Sequence, residues 1–125
     1  MTKPYIIIIE DDPSLGEIYQ AALERIGFEV DLDKMGNQFK RMLESRIPTL
    51  VILDLHMPYI RGEDVLLELH SNECWKDIPI VITTADLVLA KKLEGKADHI
   101  LIKPVSAARL RGIATDLLSS FRQHP

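Results

Sequence analysis

The sequence contains one cysteine, no long hydrophobic run and no excess of positive charge. Because Cys74 is the single cysteine, no internal disulfide can form. The apolar run near the start, Tyr5–Ile9, is far shorter than the roughly 20 residues that span a bilayer. Acidic residues follow it at once, with no small-residue cleavage site, so it is not a signal peptide. These absences predict a cytoplasmic protein that has no membrane partner.

The charge balance argues against direct binding to nucleic acid. Lys and Arg number 15 against 19 Asp and Glu, which gives a net charge of −4. A duplex-binding module is usually basic, with its positive residues gathered on one face. Here the positive residues are scattered along the chain, so no direct nucleic-acid contact is expected.

The composition is typical of one globular domain. The chain has 125 residues, of which 46% are hydrophobic and 27% charged. This length corresponds to a single domain and is enough to bury a core. No internal repeat or linker interrupts the sequence, so residues 1–125 are expected to form one domain.

Short β-rich runs alternate with stretches of helical spacing. Continuous apolar runs such as Leu50–Leu53 are typical of strands buried on both faces, whereas apolar residues spaced as in Leu15–Ile26 indicate a helix. The predicted strands are Tyr5–Ile9, Phe28–Leu32, Leu50–Leu53, Pro79–Thr83 and Ile100–Ile102. The predicted helices are Leu15–Ile26, Asn37–Arg46, Gly62–Ser71, Leu87–Leu93 and Ala107–Phe121.

This alternation predicts an α/β fold with a doubly wound, five-stranded parallel sheet. Right-handed crossovers place helices on both faces of such a sheet. The flavodoxin-like strand order 2-1-3-4-5 makes the first and third strands neighbours. Ligands and chemistry then lie at the carboxyl ends of the strands, so the residues directly after each strand are the candidates for a site.

Three acidic residues follow neighbouring strands of this predicted sheet. Glu10 and Asp11 come directly after the first strand, and Asp54 comes directly after the third. Like-charged carboxylates held together are costly unless a cation neutralises them. Carboxylate oxygens with room for water suit Mg²⁺. The sequence therefore predicts a magnesium site at this edge.

Hydroxyl and amino groups follow the other strands. Lys103 ends the fifth strand, and either Thr83 or Thr84 offers a hydroxyl after the fourth. Together with a carboxylate and Mg²⁺, these groups are what transfer of a phosphoryl group to Asp54 requires. Taken singly, an Asp after a strand is more often a helix cap, and Asp12 fits that role. The acids, the hydroxyl and the lysine occur together at four of the five strand ends, and this joint occurrence favours a phosphorylation site.

The chain resembles a response-regulator receiver domain of two-component signalling over its whole length. Four blocks carry the resemblance, in this order and spacing: Ile6–Pro13, Leu50–Pro58 with Gly62 shortly after, Pro79–Ala85 and Ile100–Pro104. The resemblance implies that Asp54 is the phosphoacceptor. It also implies that Asp11, Glu10 and Asp54 hold Mg²⁺ or Mn²⁺, with Asp11 as a direct ligand and Glu10 acting nearby or through water. The backbone carbonyl of His56 is then a further ligand.

The same resemblance assigns the remaining site residues and a partner. Thr84, which precedes Ala85, matches the switch hydroxyl, and Lys103 matches the lysine that pairs with the phosphoryl group. The Lys103–Pro104 peptide is expected to be cis. The phosphoryl donor is then a histidine kinase or a phosphotransfer protein, and the output is a downstream protein or a covalently linked effector domain. The protein is not expected to be a turnover enzyme, although it assists its own phosphorylation and dephosphorylation. No effector domain is expected within residues 1–125.

Two departures from the family pattern fall on the face that partners read. Ile100 occupies the position of the family's switch aromatic, and the segment after Thr84 leaves the fourth helix about two turns at most. We expect phosphorylation to be intact and the output relay to be non-standard at Ile100. Trp75 is expected in a loop or at the rim of the fold.

Three other functions fit the sequence less well than a receiver domain does. A haloacid-dehalogenase-type phosphohydrolase needs a second Asp two residues after the nucleophile, where this chain has His56. A flavodoxin-like FMN module needs a hydroxyl- and Gly-rich loop after the first strand, where this chain has Glu10–Pro13. A receiver-like scaffold that is never phosphorylated usually lacks an acidic residue or the lysine, and this chain keeps all of them.

Overall fold

The computed structural model describes residues 3–123, and side-chain environments within it are described for residues 3–120. Strands and helices alternate strictly along the chain. The strands are β1 Tyr5–Ile9, β2 Glu29–Asp33, β3 Leu50–Asp54, β4 Ile80–Thr84 and β5 His99–Ile102. The helices are α1 Pro13–Arg25, α2 Phe39–Ser45, α3 Gly62–Ser71, α4 Leu87–Lys92 and α5 Ala107–Gln123.

The five strands form one parallel sheet in the order β2-β1-β3-β4-β5, which confirms the predicted fold class and strand order. β1 lies between β2 and β3, with Ile6 opposite Leu50. β3 is also paired with β4, with Asp54 opposite Thr83. The ends of β1 and β3 therefore lie side by side, where the acidic residues were predicted to converge.

Helices cover both faces of the sheet because the continuous apolar strands point alternate side chains to opposite sides. Ile7 and Ile9 of β1 join a core cluster with residues of α2 and α3. Ile6 and Ile8 join a second cluster with residues of α1 and α5. Within residues 3–123, none of the helices combines the length and the apolar character that crossing a membrane requires.

Several element boundaries differ from the predicted ones by one or two residues. α1 begins at Pro13 because Asp12 caps it, accepting a hydrogen bond from the backbone N–H of Leu15 at 3.1 Å. β3 extends through Asp54, so the acid is the last residue of the strand rather than the first after it. α4 has six residues, as short as predicted.

The expectation for Trp75 was wrong in part. Trp75 lies in the turn segment between α3 and β4, but only 9% of its surface is exposed. It belongs to the core cluster that includes Leu43 and Ile78, so it is a core side chain carried by a loop.

Candidate functional site

Glu10, Asp11 and Asp54 meet at the carboxyl edge of the sheet. A carboxylate oxygen of each residue lies within 4.8 Å of one from each of the others. Glu10 and Asp54 are almost fully buried, at 2% and 1% exposure, while Asp11 is half-buried. The parallel register of β1 and β3 produces this arrangement, because it places the two strand ends side by side.

Lys103 completes the acidic cluster with a positive charge. Its Nζ lies 3.2 Å from Asp54 Oδ1 and 3.4 Å from Glu10 Oε1. The position follows from β5, which ends one residue earlier, and from a hydrogen bond of 2.8 Å that the Lys103 backbone N–H donates to the Thr84 carbonyl. The Lys103–Pro104 peptide is cis, as the resemblance implied.

Thr84 is fully buried at the end of β4, beside the backbone of Lys103. Its Oγ1 accepts a hydrogen bond of 3.0 Å from the backbone N–H of Asp86. Asp86 in turn caps α4, accepting from the N–H groups of Val88 and Leu89. The Thr84 hydroxyl is thus linked to the first turn of α4 as well as to the strand end.

The segment after Asp54 turns back on itself. The backbone N–H of His56 donates a hydrogen bond to Asp54 Oδ1 at 3.1 Å, and the His56 side chain is exposed. A β-bridge pairs His56 with Arg61. Gly62 then packs so closely that a Cβ there would lie 2.6 Å from Leu55 Cα, which is why a glycine ends this loop.

Ile100 does not join the acidic cluster. It is half-buried on β5, packs against the core cluster around Ile82, and lines a cavity of about 540 Å³ together with Leu87 and Ala90 of α4. The sequence-predicted site residues therefore separate into a group at the strand ends and one position on the α4–β5 surface.

Burial and mutual repulsion disturb the ionisation of the acidic cluster. Burial, followed by the hydrogen bond and charge of Asp54, raises the pKa of Glu10 to about 7, against an opposing effect of Lys103. The same causes raise the pKa of Asp11. The neighbouring carboxylates of Glu10 and Asp54 raise the pKa of Lys103, although its own burial opposes this.

The donor set fits a hard divalent cation. Three carboxylates from Glu10, Asp11 and Asp54 stand close enough to share one ion, and oxygen donors of this kind are the ligands of Mg²⁺. A cation there would offset the burial of the Glu10 carboxylate and its repulsion by Asp54, which together raise the Glu10 pKa. A cluster of acidic groups that could bind a metal ion is therefore present, in agreement with the sequence.

Without a metal, the chain is expected to lose stability as the pH rises. Glu10 has an ordinary pKa of 4.5 and a folded pKa of about 7, so in this window the folded state holds more protons than the unfolded state. The melting temperature in EDTA should fall by roughly 5–10 °C between pH 5 and pH 8. Glu10→Gln should flatten the slope, and the exposed control Glu24→Gln should keep it. A slope unchanged in Glu10→Gln would contradict this assignment.

Asp33 is a buried acid near the site to which the sequence assigned no role. It is the last residue of β2, lies opposite Ile9, and is 1% exposed. Its carbonyl accepts a hydrogen bond of 3.2 Å from the backbone N–H of Glu10. A carboxylate this deeply buried requires several hydrogen-bond donors. The sequence signal that could have indicated this role is an acidic residue at the end of β2, three residues before Gly36.

A family model for the response regulator receiver domain matches residues 6–115. The chain belongs to the response regulator receiver family. Accepting a phosphoryl group is the known role of this family, so the chain is a two-component signalling domain rather than a classical enzyme. The resemblance based on the four sequence blocks is thereby confirmed.

Relatives and solved structures agree with this assignment. The receiver domain is 37% identical over 115 residues to the transcriptional regulatory protein QseB of Escherichia coli O157:H7, covering 86% of this chain and 52% of that protein. It is 31% identical over 124 residues to the response regulator Rre1 of Synechocystis, covering 95% and 54%. The chain thus spans about half the length of the curated relatives it matches.

Among solved structures, the signal receiver domain of a histidine kinase from Syntrophus aciditrophicus superposes with a TM-score of 0.84 at 27% identity, covering 98% of this receiver domain and 95% of that chain. The receiver domain of a LuxO repressor protein from Vibrio parahaemolyticus gives 0.82 at 28%, covering 98% and 95%. The fold is therefore shared with receivers from both kinases and regulators.

Proposed function

We propose that Asp54 accepts a phosphoryl group from the phosphohistidine of a histidine kinase or a phosphotransfer protein. One observation carries the proposal: the Asp54 carboxylate is buried at a strand end with a lysine amino group 3.2 Å away and two further acids beside it. In the reaction a carboxylate oxygen attacks the phosphorus, the bond from phosphorus to the histidine nitrogen breaks, and that nitrogen keeps the electron pair.

The neighbouring groups support this transfer in different ways. The His56 N–H holds one Asp54 oxygen by a hydrogen bond, which leaves the other oxygen as the nucleophile. Lys103 neutralises charge on the phosphoryl oxygens. The Thr84 hydroxyl gives up the hydrogen bond that it accepts from the Asp86 N–H and donates one to a phosphoryl oxygen. These groups let the domain assist its own phosphorylation and dephosphorylation.

The metal site belongs to the same proposal. Glu10, Asp11, Asp54 and the backbone carbonyl of His56 would hold Mg²⁺ or Mn²⁺, with Asp11 as a direct ligand. When bound, the ion supplies positive charge that offsets both the acidic cluster and the oxygens of the incoming phosphoryl group. The distances within the acidic cluster and the raised pKa of Glu10 support this assignment.

The output would be a change in what the domain binds. Phosphorylation adds about −1.5 to −2 of charge at neutral pH. Residues 1–125 would form one receiver domain in the cytoplasm. The signal would pass to a separate protein or to a covalently linked effector, and the greater length of the curated relatives supports the second arrangement.

Ile100 is proposed to set how strongly this output responds. It lies between the core and the α4–β5 cavity, which Leu87 at the start of α4 also lines. Because isoleucine lacks a ring that can turn inward, Ile100→Tyr should change the affinity of the phosphorylated domain for its partner several-fold. The measurement is partner binding by calorimetry with and without phosphorylation. Unchanged binding in a variant that is still phosphorylated would remove the support for this position.

Incubation with acetyl phosphate and Mg²⁺, followed by intact-mass measurement, tests the central proposal. We expect one phosphoryl adduct per chain, and we expect EDTA to suppress it because the acidic cluster then repels the donor. If neither acetyl phosphate nor a phosphorylated histidine kinase gives an adduct, the chain is a receiver-like scaffold instead.

A further inference from the structure

The carboxylate of Asp33 organises the loop between β2 and α2. Oδ1 accepts hydrogen bonds of 2.9–3.3 Å from the backbone N–H groups of Met35, Gly36 and Asn37, and Oδ2 accepts bonds of 2.7–2.8 Å from those of Gln38 and Phe39. Five backbone donors thus converge on one buried carboxylate. Hydrogen bonds to a charged acceptor are about twice as strong as neutral ones.

Asp33 also supplies the cap that α2 otherwise lacks. Gln38, the residue at the N-cap position, makes no capping hydrogen bond with its side chain. The backbone N–H groups of Gln38 and of Phe39, the first residue of the helix, donate instead to Asp33, five and six residues earlier in the chain. The loop and the helix start are consequently fixed by one side chain rooted in the sheet.

The loop that Asp33 organises packs against the segment that follows Asp54. Gly36 has a φ of +74°, and a Cβ at this position would lie 2.7 Å from Met57 Cε and would also overlap the side chain of Ile60. Gly36 is therefore seated directly on Met57 and Ile60. Both side chains are partly buried against the core, so the contact joins two packed segments.

We propose that Asp33 is a positioning residue for the phosphorylation site. It holds the loop 34–38 so that Gly36 seats on Ile60, and this contact fixes the segment 55–61. That segment contains the backbone of His56, whose N–H holds the Asp54 carboxylate and whose carbonyl is assigned to the metal. The inference rests on the proposed function, since it takes the metal site of that proposal as the site being positioned.

The alternative is that Asp33 stabilises the fold and nothing more. In that case replacing it would lower the free energy of unfolding but leave the Mg²⁺ affinity of the folded protein unchanged. If Asp33 positions the site, replacing it should lower both the free energy of unfolding and the Mg²⁺ affinity of the folded protein. Residues behind metal ligands typically contribute 10–100-fold to metal affinity, which sets the scale of the expected effect.

The experiment titrates Mg²⁺ into the ¹⁵N-labelled chain and follows the backbone amide resonances of residues 54–57 and 59–61, since Pro58 has no N–H. Asp33→Asn keeps the shape but removes the charge and presents an amide NH₂ to backbone donors, so we expect Mg²⁺ binding to weaken about 10-fold. Asp31→Asn is the matched control, because it removes the same charge from an exposed position on the same strand. That variant should bind Mg²⁺ as the native chain does.

A second variant tests the route through the loop contact. Ile60→Ala leaves Asp33 and the acidic cluster in place but removes the side chain on which Gly36 sits, and should weaken Mg²⁺ binding about threefold. The two substitutions break the same chain of contacts. The loss of Mg²⁺ binding free energy in the double variant should therefore be smaller than the sum of the losses in the two single variants. Ile60→Ala also decides the question if Asp33→Asn fails to fold.

The proposal is overturned if folded Asp33→Asn binds Mg²⁺ within twofold of the native chain, if Ile60→Ala has native affinity, or if the native chain binds no Mg²⁺. Phosphorylation is measured separately by intact mass. A native chain that binds Mg²⁺ tightly but gains no phosphoryl group would refute the proposed function, while the weaker Mg²⁺ binding of Asp33→Asn would still support the positioning role.

Discussion

Phosphoryl incorporation from acetyl phosphate should fall to background in Asp54→Asn. Asparagine has nearly the same shape as aspartate but has no nucleophilic carboxylate oxygen, so the reaction has no acceptor. The variant should nevertheless fold, since the substitution removes the charge of Asp54, which repels the buried Glu10 carboxylate. We therefore expect the melting temperature in EDTA at pH 8 to be at least that of the native chain, which separates loss of the acceptor from loss of the structure.

Asp12→Asn is the matched control for this result. Asp12 lies two residues from Glu10, is exposed, and caps α1, a role that asparagine fills equally well. It should incorporate the phosphoryl group at the native rate. An adduct that persists in Asp54→Asn would show that another residue is the acceptor.

The second large effect is expected for Lys103→Met, which keeps the length of the side chain but removes its charge. Lys103 is the cation that contacts both Asp54 and Glu10. Loss of such a group from a buried reacting centre typically slows the reaction about 100-fold or more. We expect that reduction in the initial rate of phosphorylation at saturating Mg²⁺, measured by intact mass over time.

Stability provides an independent readout of the same substitution. Removing one partner of a buried ion pair costs roughly 3–5 kcal/mol because the remaining charge is left uncompensated. Lys103 is about a quarter exposed, so solvent screening should reduce the cost below that range. Unfolding by urea in EDTA should therefore show a measurable loss above pH 7, and less below pH 5, where Glu10 is protonated. Lys96→Met, at an exposed position, is the control. A native phosphorylation rate in Lys103→Met would show that its amino group takes no part in the transfer.

Much of this site could be predicted because the parallel sheet itself brings the residues at its strand ends together. Once Tyr5–Ile9 and Leu50–Leu53 are identified as buried parallel strands, the residues at their carboxyl ends must lie together. The predicted convergence of Glu10 and Asp54 depends only on strand order and direction, and both are as predicted. The position of Lys103 follows from the same rule, because Lys103 comes directly after β5.

The remaining features depend on contacts that carry no periodic signal. The hydrogen bond between the Thr84 hydroxyl and the Asp86 N–H depends on the rotation of the Thr84 side chain and on the path of the turn after β4. Asp33 was outside the predicted second strand, and its five backbone donors come from a loop whose path could not be read from spacing. Trp75 packs into the core from a turn, where neither helical nor strand periodicity applies.

The position of the phosphoryl group on the chain tests the central claim most directly. The domain is phosphorylated with acetyl phosphate and Mg²⁺ and then treated with borohydride, which reduces an acyl phosphate but leaves free carboxylates intact. Peptide sequencing by tandem mass spectrometry then locates the reduced side chain. The account predicts reduction at position 54 and at no other acidic residue. Reduction at Glu10 or Asp11 with Asp54 intact would contradict it.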